Sequence, residues 1–512
     1  MLTFVLRRTL ATFLVLLAAS FVVYLLTAYS GNPLADLIGS RDPNREELIA
    51  ERIRELNLET PVPLRYFSWL AGVGGCFIGQ CDLGQSYVTN QEVTAALAAA
   101  VPATLSLVTA ATFIAIILGI AVGMVSALRQ YSGFDYTITF ITFVLYSLPV
   151  FWVAVLLKEW GAIRVNQFMA DPAVPILGVI AFGALGGLIW QAVIGGPARR
   201  RATTFAVAGL VSGGILGILL ATGWFSQPSI GISGLVILGV GTAAIVLLAA
   251  GGLRQRPYLI AVFGTVAVLI ALWYPLQFLF FSMREVVWII PLTLLASIAI
   301  GIAFGLVFGG ENRATLARWA GITGGVVGLV LILDRILLVF DEYSNKIPLS
   351  YGIIPTIGAT TPNLSGDIWI DALDLIAHLI LPTLALTLIS FAGYTRYARA
   401  SLLEVMNQDY VRTARAKGLS ERVVVLRHAF RNALIPITTI VVLDFGALIG
   451  GAVITERIFG WQAMGTLFIN GLTHTDVNLV MGFFLITGIL VVVANILADL
   501  VYSALDPRIR VS

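Results

Sequence analysis

The stretch NQDYVRTARAKGLSERVVVLRH, residues 407–428, gathers Arg412, Arg415, Lys417, Arg422, Arg427 and His428 between two apolar blocks. A segment with that much charge does not enter lipid, because ionised side chains are expensive in hydrocarbon. Three uses compete for it: attraction to anionic headgroups, a topology anchor, or docking to a cytoplasmic partner. Its local chemistry is specific. Ala414 and Ala416 favour helix, Gly418 interrupts it as a left-handed cap, and Ser420 suits an N-cap with Glu421 at the next helix's positive end. The pattern predicts helix, tight turn, helix, and a defined shape argues for a partner.

Elsewhere, chemistry-bearing residues are sparse. The lysines are Lys158, Lys346 and Lys417, and none has the G-x-x-x-x-G-K-[ST] setting that holds nucleotide phosphates. His378, His428 and His474 do not cluster with other ligands at zinc-like spacing, so no metal site is expected. No nucleophile–base pair or cofactor motif stands out, and the chain reads as a non-enzyme with nothing pointing to nucleic acid. Intramembrane ionisable groups are functional candidates by default. Asp444 is the candidate pathway-lining carboxylate; Asp374, His378 and Asp499 are weaker candidates, near the membrane edges. Asp334 and Arg335 are read as marking such an edge. The two cysteines, Cys76 and Cys81 in GGCFIGQCDLG, form a local disulfide if their loop faces an oxidising space, or are two neighbouring thiols if not.

The elements that must position these residues follow from composition. The chain has 512 residues, 58% hydrophobic and 12% charged, whereas soluble domains carry about 25% charged residues. The apolar residues fall into about twelve blocks of membrane-spanning length, near 9–30, 101–127, 136–157, 175–195, 203–223, 231–252, 258–281, 286–308, 317–340, 374–395, 433–454 and 477–504. This predicts an all-α polytopic membrane protein. The first block, behind Arg7 and Arg8, exceeds a signal-peptide core and lacks a clear cleavage site, so it is expected to persist as a span. Basic residues collect in alternate loops: Arg129; Arg199 to Arg201; Arg254 and Arg256; Arg313 and Arg318; then 396–431. With Arg508 and Arg510 at the tail, positive charge puts both termini in the cytoplasm.

Residues 31–100 form the one sizeable external polar region. Asp42-Pro43 is expected to open a short helix running to Glu55, and Tyr66, Phe67 and Trp69 suit the headgroup level. The region is either a lid on the membrane surface or a docking face at an outer mouth.

The residues carry a resemblance. DYVRTARAKGL followed by RHAFRNALIP resembles the cytoplasmic EAA loop of ATP-binding-cassette importer permeases, most closely the dipeptide, oligopeptide and nickel group. RRTLATFLVLL, LNLETPVPLRYFSWL, CDLGQS, VPATLSL, SLPVFW, HLILPTLAL, TERIF and NILADLVYSALDPRIR follow in that family's order. The resemblance covers roughly 1–157 and 350–512. It implies a six-span permease core, half of a solute pathway by alternating access. Its partners would be a second permease subunit, two ATP-binding subunits and an extracytoplasmic substrate-binding protein. ATP and Mg²⁺ would sit on the ATPases and no cofactor on this chain. Tyr410, Arg412, Thr413, Ala414, Arg415, Ala416, Lys417 and Gly418 would form the ATPase-coupling element, with Arg412 replacing the glutamate that names the loop.

Two departures stand out. Between SLPVFW and SYGIIPTIG the family has a short connection; here 158–349 adds about six spans by the same length criterion. They are expected as three hairpins, serving as a collar, in regulation, or as an extra-subunit site. WQAMG at 461–465 replaces a Pro-Gly step. The expected organisation is a first span (1–30), an external region (31–100), core spans (101–157), inserted hairpins (158–349), and a core with its coupling loop at 396–432 (350–512). The expected function is a plasma-membrane permease subunit for peptides or similar small solutes. A stand-alone twelve-span secondary transporter is the alternative, although such carriers show related halves.

Overall fold

The computed structural model describes residues 2–252, 255–348 and 351–505, with side chains of 2–9, 311, 442–443, 445–451 and 498–505 left aside. The topology signals at Arg7, Arg8, Arg254, Arg508 and Arg510, and the Asp499 carboxyl, lie outside the described residues or side chains. Among the described residues the chain is helical, without a strand.

α1 (Leu2–Tyr29) leads into α2 (Ala35–Ile38), α3 (Arg45–Glu55) and α4 (Val62–Gly75). Then follow α5 (Val93–Leu128), α6 (Gly133–Ser147), α7 (Val150–Leu157) and, through a π-turn, α8 (Arg164–Ala170). The central section comprises α9 (Ile176–Ile194), α10 (Ala198–Ala221), α11 (Gly231–Ala250), α12 (Arg256–Ala271), α13 (Trp273–Ser282), α14 (Ile289–Phe308), α15 (Arg313–Leu338) and α16 (Phe340–Lys346). The last section holds α17 (Ile368–Met406), α18 (Asp409–Ala416), α19 (Glu421–Val423), α20 (Phe430–Ile458), α21 (Met464–His474) and α22 (Val477–Leu505).

Among the described residues, 9 helices are long and apolar enough to cross a membrane, or up to 11 when bent pairs count as one span. α20 occupies the place of the expected span 433–454. Two expected spans are not straight. The segment expected at 136–157 turns by 103° between α6 and α7. Leu148 and Pro149 are extended at the break (ψ 131 and 142), because proline lacks an amide hydrogen and pushes its predecessor out of the helical region. α12 and α13 meet at a 46° bend. The short external helix starts at Arg45 rather than beside Asp42, whose Oδ1 instead accepts from Asn44 N at 2.9 Å and holds a turn.

α5 and α17 form the spine of the core. A Cβ on Gly119 would lie 2.6 Å from the Tyr394 Cβ, and one on Gly123 2.6 Å from the Thr395 carbonyl oxygen. Only glycine lets the two backbones approach so closely. Within the inserted segment the helices pack in two groups. α9 and α10 pack on each other through Gly183 and Gly187, whose Cβ positions fall 2.7 Å from the Gly209 and Phe205 carbonyls. α11 to α15 form a separate bundle around Leu235, Leu247, Val262, Leu269, Leu316 and Leu331. Asp334, expected at a membrane edge, is buried at the joint of that bundle. It accepts from Ile230 N (3.0 Å), Gly231 N (2.8 Å), Trp273 Nε1 (2.7 Å) and Gln277 Nε2 (3.2 Å), capping α11 and tying it to α13 and α15.

Candidate functional site

The basic stretch folds as a hairpin of short helices. α18 ends at Ala416 with Lys417 as its C-cap, Gly418 adopts φ +74°, and the chain re-enters helix at Glu421 after an extended Ser420. A Cβ on Gly418 would meet nothing within 4 Å, so glycine is required by backbone conformation and not by space. Ser420 stands at the N-cap position without a side-chain cap bond. The turn is closed instead by Arg415, whose Nη2 and Nε donate to Glu421 Oε1 (2.7 Å) and Oε2 (3.1 Å). That hydrogen-bonded pairing holds the Glu421 carboxyl below its ordinary range.

One face of the elbow is buried and the other bare. Val411 and Ala414 of α18 pack with Val424 and Ala429 against Ala127 at the end of α5, Leu402 of α17 and Ala433 of α20. Ala414 is therefore an anchor, whereas Tyr410, Arg412, Thr413, Arg415, Ala416, Lys417 and Gly418 are exposed. Leu419, Val423 and Leu426 add exposed apolar surface. A groove of about 670 Å³ runs beside them, lined by residues including Leu403, Met406, Arg422 and Leu426. The arrangement is a rigid basic and apolar ridge rooted in three long helices, suited to receiving a protein and transmitting its movement.

Two connections carry the elbow's position into the helices. Ser401 Oγ donates to the Ala433 carbonyl at 2.8 Å, joining α17 to α20. Arg399, two residues earlier, grips buried Asp135 of α6 through Nε–Oδ1 (2.8 Å) and Nη2–Oδ2 (3.0 Å), while Ser126 of α5 donates to the same carboxylate at 2.5 Å. Neither Asp135 nor Arg399 stood out in the sequence, because an ion pair 264 residues apart has no local signature.

The other candidates lie apart from the elbow. Asp444 on α20 is half-buried and interacts with the Tyr394 hydroxyl of α17. Asp374 is buried and satisfied by Thr361 N (2.9 Å), Thr361 Oγ1 (2.6 Å) and Tyr343 OH (3.0 Å), with His378 Nδ1 at 3.4 Å. It is a structural hub near the start of α17. His428 and His474 do not join a cluster, and no group of three metal-capable side chains exists among the described residues. Cys76 and Cys81 are bonded (S–S 2.03 Å).

A residue missed in the sequence is Glu456 in TERIF. It is fully buried and accepts from Thr104 Oγ1 of VPATLSL at 2.7 Å and from Gly465 N of WQAMG at 2.7 Å. Three motifs far apart in the chain thus meet on one carboxylate. The WQAMG segment is fitted to it: Trp461, Ala463 and Met464 are buried, and a Cβ on Gly465 would sit 2.5 Å from Glu456 Oε2.

Residues 213–511 match the family described as binding-protein-dependent transport system inner membrane component, and residues 1–108 match the N-terminal family of such membrane components. The first match extends into the inserted segment, beyond the limits of the motif resemblance. Over 155 residues the chain is 44% identical to the oligopeptide transport system permease protein OppB of Mycobacterium tuberculosis, covering 30% of this chain and 48% of that one. It is 44% identical over 162 residues to the oligopeptide transport system permease protein AppB of Bacillus subtilis (32% and 50%). With the di/tripeptide transport system permease protein DppB of Pseudomonas aeruginosa the figure is 42% over 185 residues (36% and 55%). The chain spans about half the length of these curated relatives. With more than half of its own length inside the family match, this chain belongs to the family of binding-protein-dependent transport system inner membrane components.

Proposed function

We propose that this chain is the permease subunit of an ATP-binding-cassette importer for peptides, supplying half of the translocation pathway. In this reading it crosses the plasma membrane twelve times with both termini in the cytoplasm. It works with a second permease subunit, two ATP-binding subunits that carry ATP and Mg²⁺, and an extracytoplasmic substrate-binding protein. The relatives' names support the peptide class. Because the inserted helices begin and end on the same side, they leave the core's direction unchanged.

The observation that carries the proposal is the elbow's two-sided character. Its bare ridge, Tyr410, Arg412, Arg415, Lys417 and Leu419, is fixed by Val411 and Ala414 to the ends of α5, α17 and α20. An ATPase gripping that ridge would move the three helices together, since packed interiors transmit strain instead of absorbing it. Arg412, exposed and 3.8 Å from Asp409 of its own helix, would meet an acidic groove. Asp444 would line the pathway, and the Cys76–Cys81 bridge would brace the external region in an oxidising compartment.

The test is site-directed cross-linking. The described structure pairs both native cysteines with each other, so Lys417→Cys supplies one addressable thiol. Co-expressed with its ATP-binding subunits, this variant is expected to cross-link to one of them in a nucleotide-dependent yield. Cross-linking to lipid alone, or a yield indifferent to nucleotide, rejects the elbow as the coupling element.

A further inference from the structure

Arg396 of α17 is exposed and lies one turn before the Arg399 that grips Asp135. The two side chains point in different directions. Arg399 meets α6 at Asp135, in that helix's first turn. The Arg396 guanidinium carbon instead lies 4.9 Å from the Phe143 ring centre and 4.7 Å from that of Tyr146. Those rings stand 8 and 11 residues beyond Asp135 on α6, about 12 and 16 Å along a helix. In the proposed orientation α6 starts at the cytoplasmic edge, so Arg396 is aimed into the span. Long basic side chains near a helix end ordinarily turn toward the interface; this one turns the other way.

Among the described residues no ion pair includes Arg396. The two rings hold its side chain in place without neutralising it. A guanidinium at such depth faces a water-filled cavity or a partner, because hydrocarbon leaves its charge unsolvated.

The helix face that carries it is bare. α17 packs on α5 through Tyr394, Thr395 and Ala398, reaches α20 through Ser401 and reaches α6 through Arg399. At 3.6 residues per turn, Gly393, Arg396, Tyr397 and Ala400 fall on the side opposite α5, between α6 and α20. A cavity of about 280 Å³ opens there against α6, and its lining includes Tyr146, Arg396 and Tyr397. Tyr146 is 59% exposed and Tyr397 49%, so both stand open beside the guanidinium.

We propose that this face of α17 lines the solute pathway and that Arg396 receives the carboxylate of a passing peptide, with Tyr146 and Tyr397 beside it. The inference rests on the peptide-permease reading and adds the place where the cargo's negative end is met. The chemistry fits: guanidinium donates two parallel N–H bonds to a planar carboxylate.

Gly393 offers a reporter position. It lies one turn before Arg396 on the same face, and a Cβ there would meet nothing within 4 Å. With the native cysteines bridged, Gly393→Cys supplies one thiol in the full complex with its ATP-binding subunits in nanodiscs. A charged, lipid-insoluble methanethiosulfonate is expected to label it. Trialanine is expected to slow labelling severalfold, and trialanine amide, which lacks the carboxylate, to leave the rate unchanged. Arg396→Gln in the same chain is expected to weaken protection by trialanine about tenfold or more, whereas Arg396→Lys keeps part of it. An unlabelled thiol places the face against lipid or protein and overturns the inference. Labelling without protection, equal protection by the amide, or protection that survives Arg396→Gln overturns it as well. ATP-driven trialanine uptake by the parent complex with its binding protein is the separate control: its absence rejects the peptide-permease reading, and its presence leaves the labelling to decide the role of Arg396.

Discussion

Two glycines show opposite reasons for the same residue. Gly418 has open space around its Cβ position but sits at φ +74°, where a β-branched side chain is strained by about 1–2 kcal/mol. Gly418→Val is expected to distort the elbow without disturbing the helices behind it. ATPase activity in reconstituted vesicles then continues while peptide uptake falls severalfold, and Gly418→Asn, which tolerates the left-handed region, restores most of it. Uptake and hydrolysis staying coupled in the valine variant would remove the elbow from the mechanism. Gly465 is the reverse case, limited by space: a Cβ there would stand 2.5 Å from both Glu456 Oε2 and Val453 Cα. Gly465→Ala is expected to destabilise the chain by about 1–3 kcal/mol through overpacking, read as a lowered unfolding temperature in detergent. Unchanged stability would mean that the Glu456 junction yields more easily than its burial implies.

At the scale of elements, α17 is the member to which the others are tied. It meets α5 across Gly119 and Gly123, α20 through Ser401, α6 through Arg399, and the elbow through Leu402. The Arg399–Asp135 pair matters most among these contacts because the carboxylate is 3% exposed. Removing one partner leaves a buried charge, a cost on the order of 3 kcal/mol. Arg399→Ala is therefore expected to lower the unfolding temperature, and Asp135→Asn in the same chain to recover part of the loss by removing the stranded charge. If the double variant is no more stable than Arg399→Ala, the ion pair is not what joins α6 to α17. The 103° break between α6 and α7 belongs to this scale too: Pro149 sets it locally, and the Asp135 tether holds the first half in place.

On the scale of the whole molecule, the inserted segment divides by how it is attached. The α11–α15 bundle has its own buried core and joins the permease core through Tyr343, Trp369 and Ile370. The α9–α10 hairpin has no such attachment: no residue of α10 is buried, and the pair meets the core near α6, where Arg129 donates to the Val193 carbonyl. Replacing residues 172–228 with a short flexible linker removes an even number of helices and keeps the direction of everything that follows. The shortened chain is expected to insert, elute as a single species and retain ATP-driven uptake. Failure to insert would show that the hairpin is needed to complete the fold.

What the sequence determined by itself was whatever depends on neighbouring residues: apolar runs long enough to span lipid, the glycine turn at 418, and the ordered motifs that carry the family resemblance. The elbow was legible because its charge, its helix formers and its left-handed cap all lie within about twenty consecutive positions. Tertiary structure alone decided the rest. It gave Asp334 its role as a buried cap for another helix, made Asp374 a satisfied hub, and joined three motifs on Glu456, which drew no notice in the sequence. Ala414 was expected in the coupling motif yet faces inward. The physical reason is the same throughout. A membrane chain advertises its spans through solvation, a property of each segment alone, but a buried polar group acquires its role from partners that only packing brings within hydrogen-bonding distance.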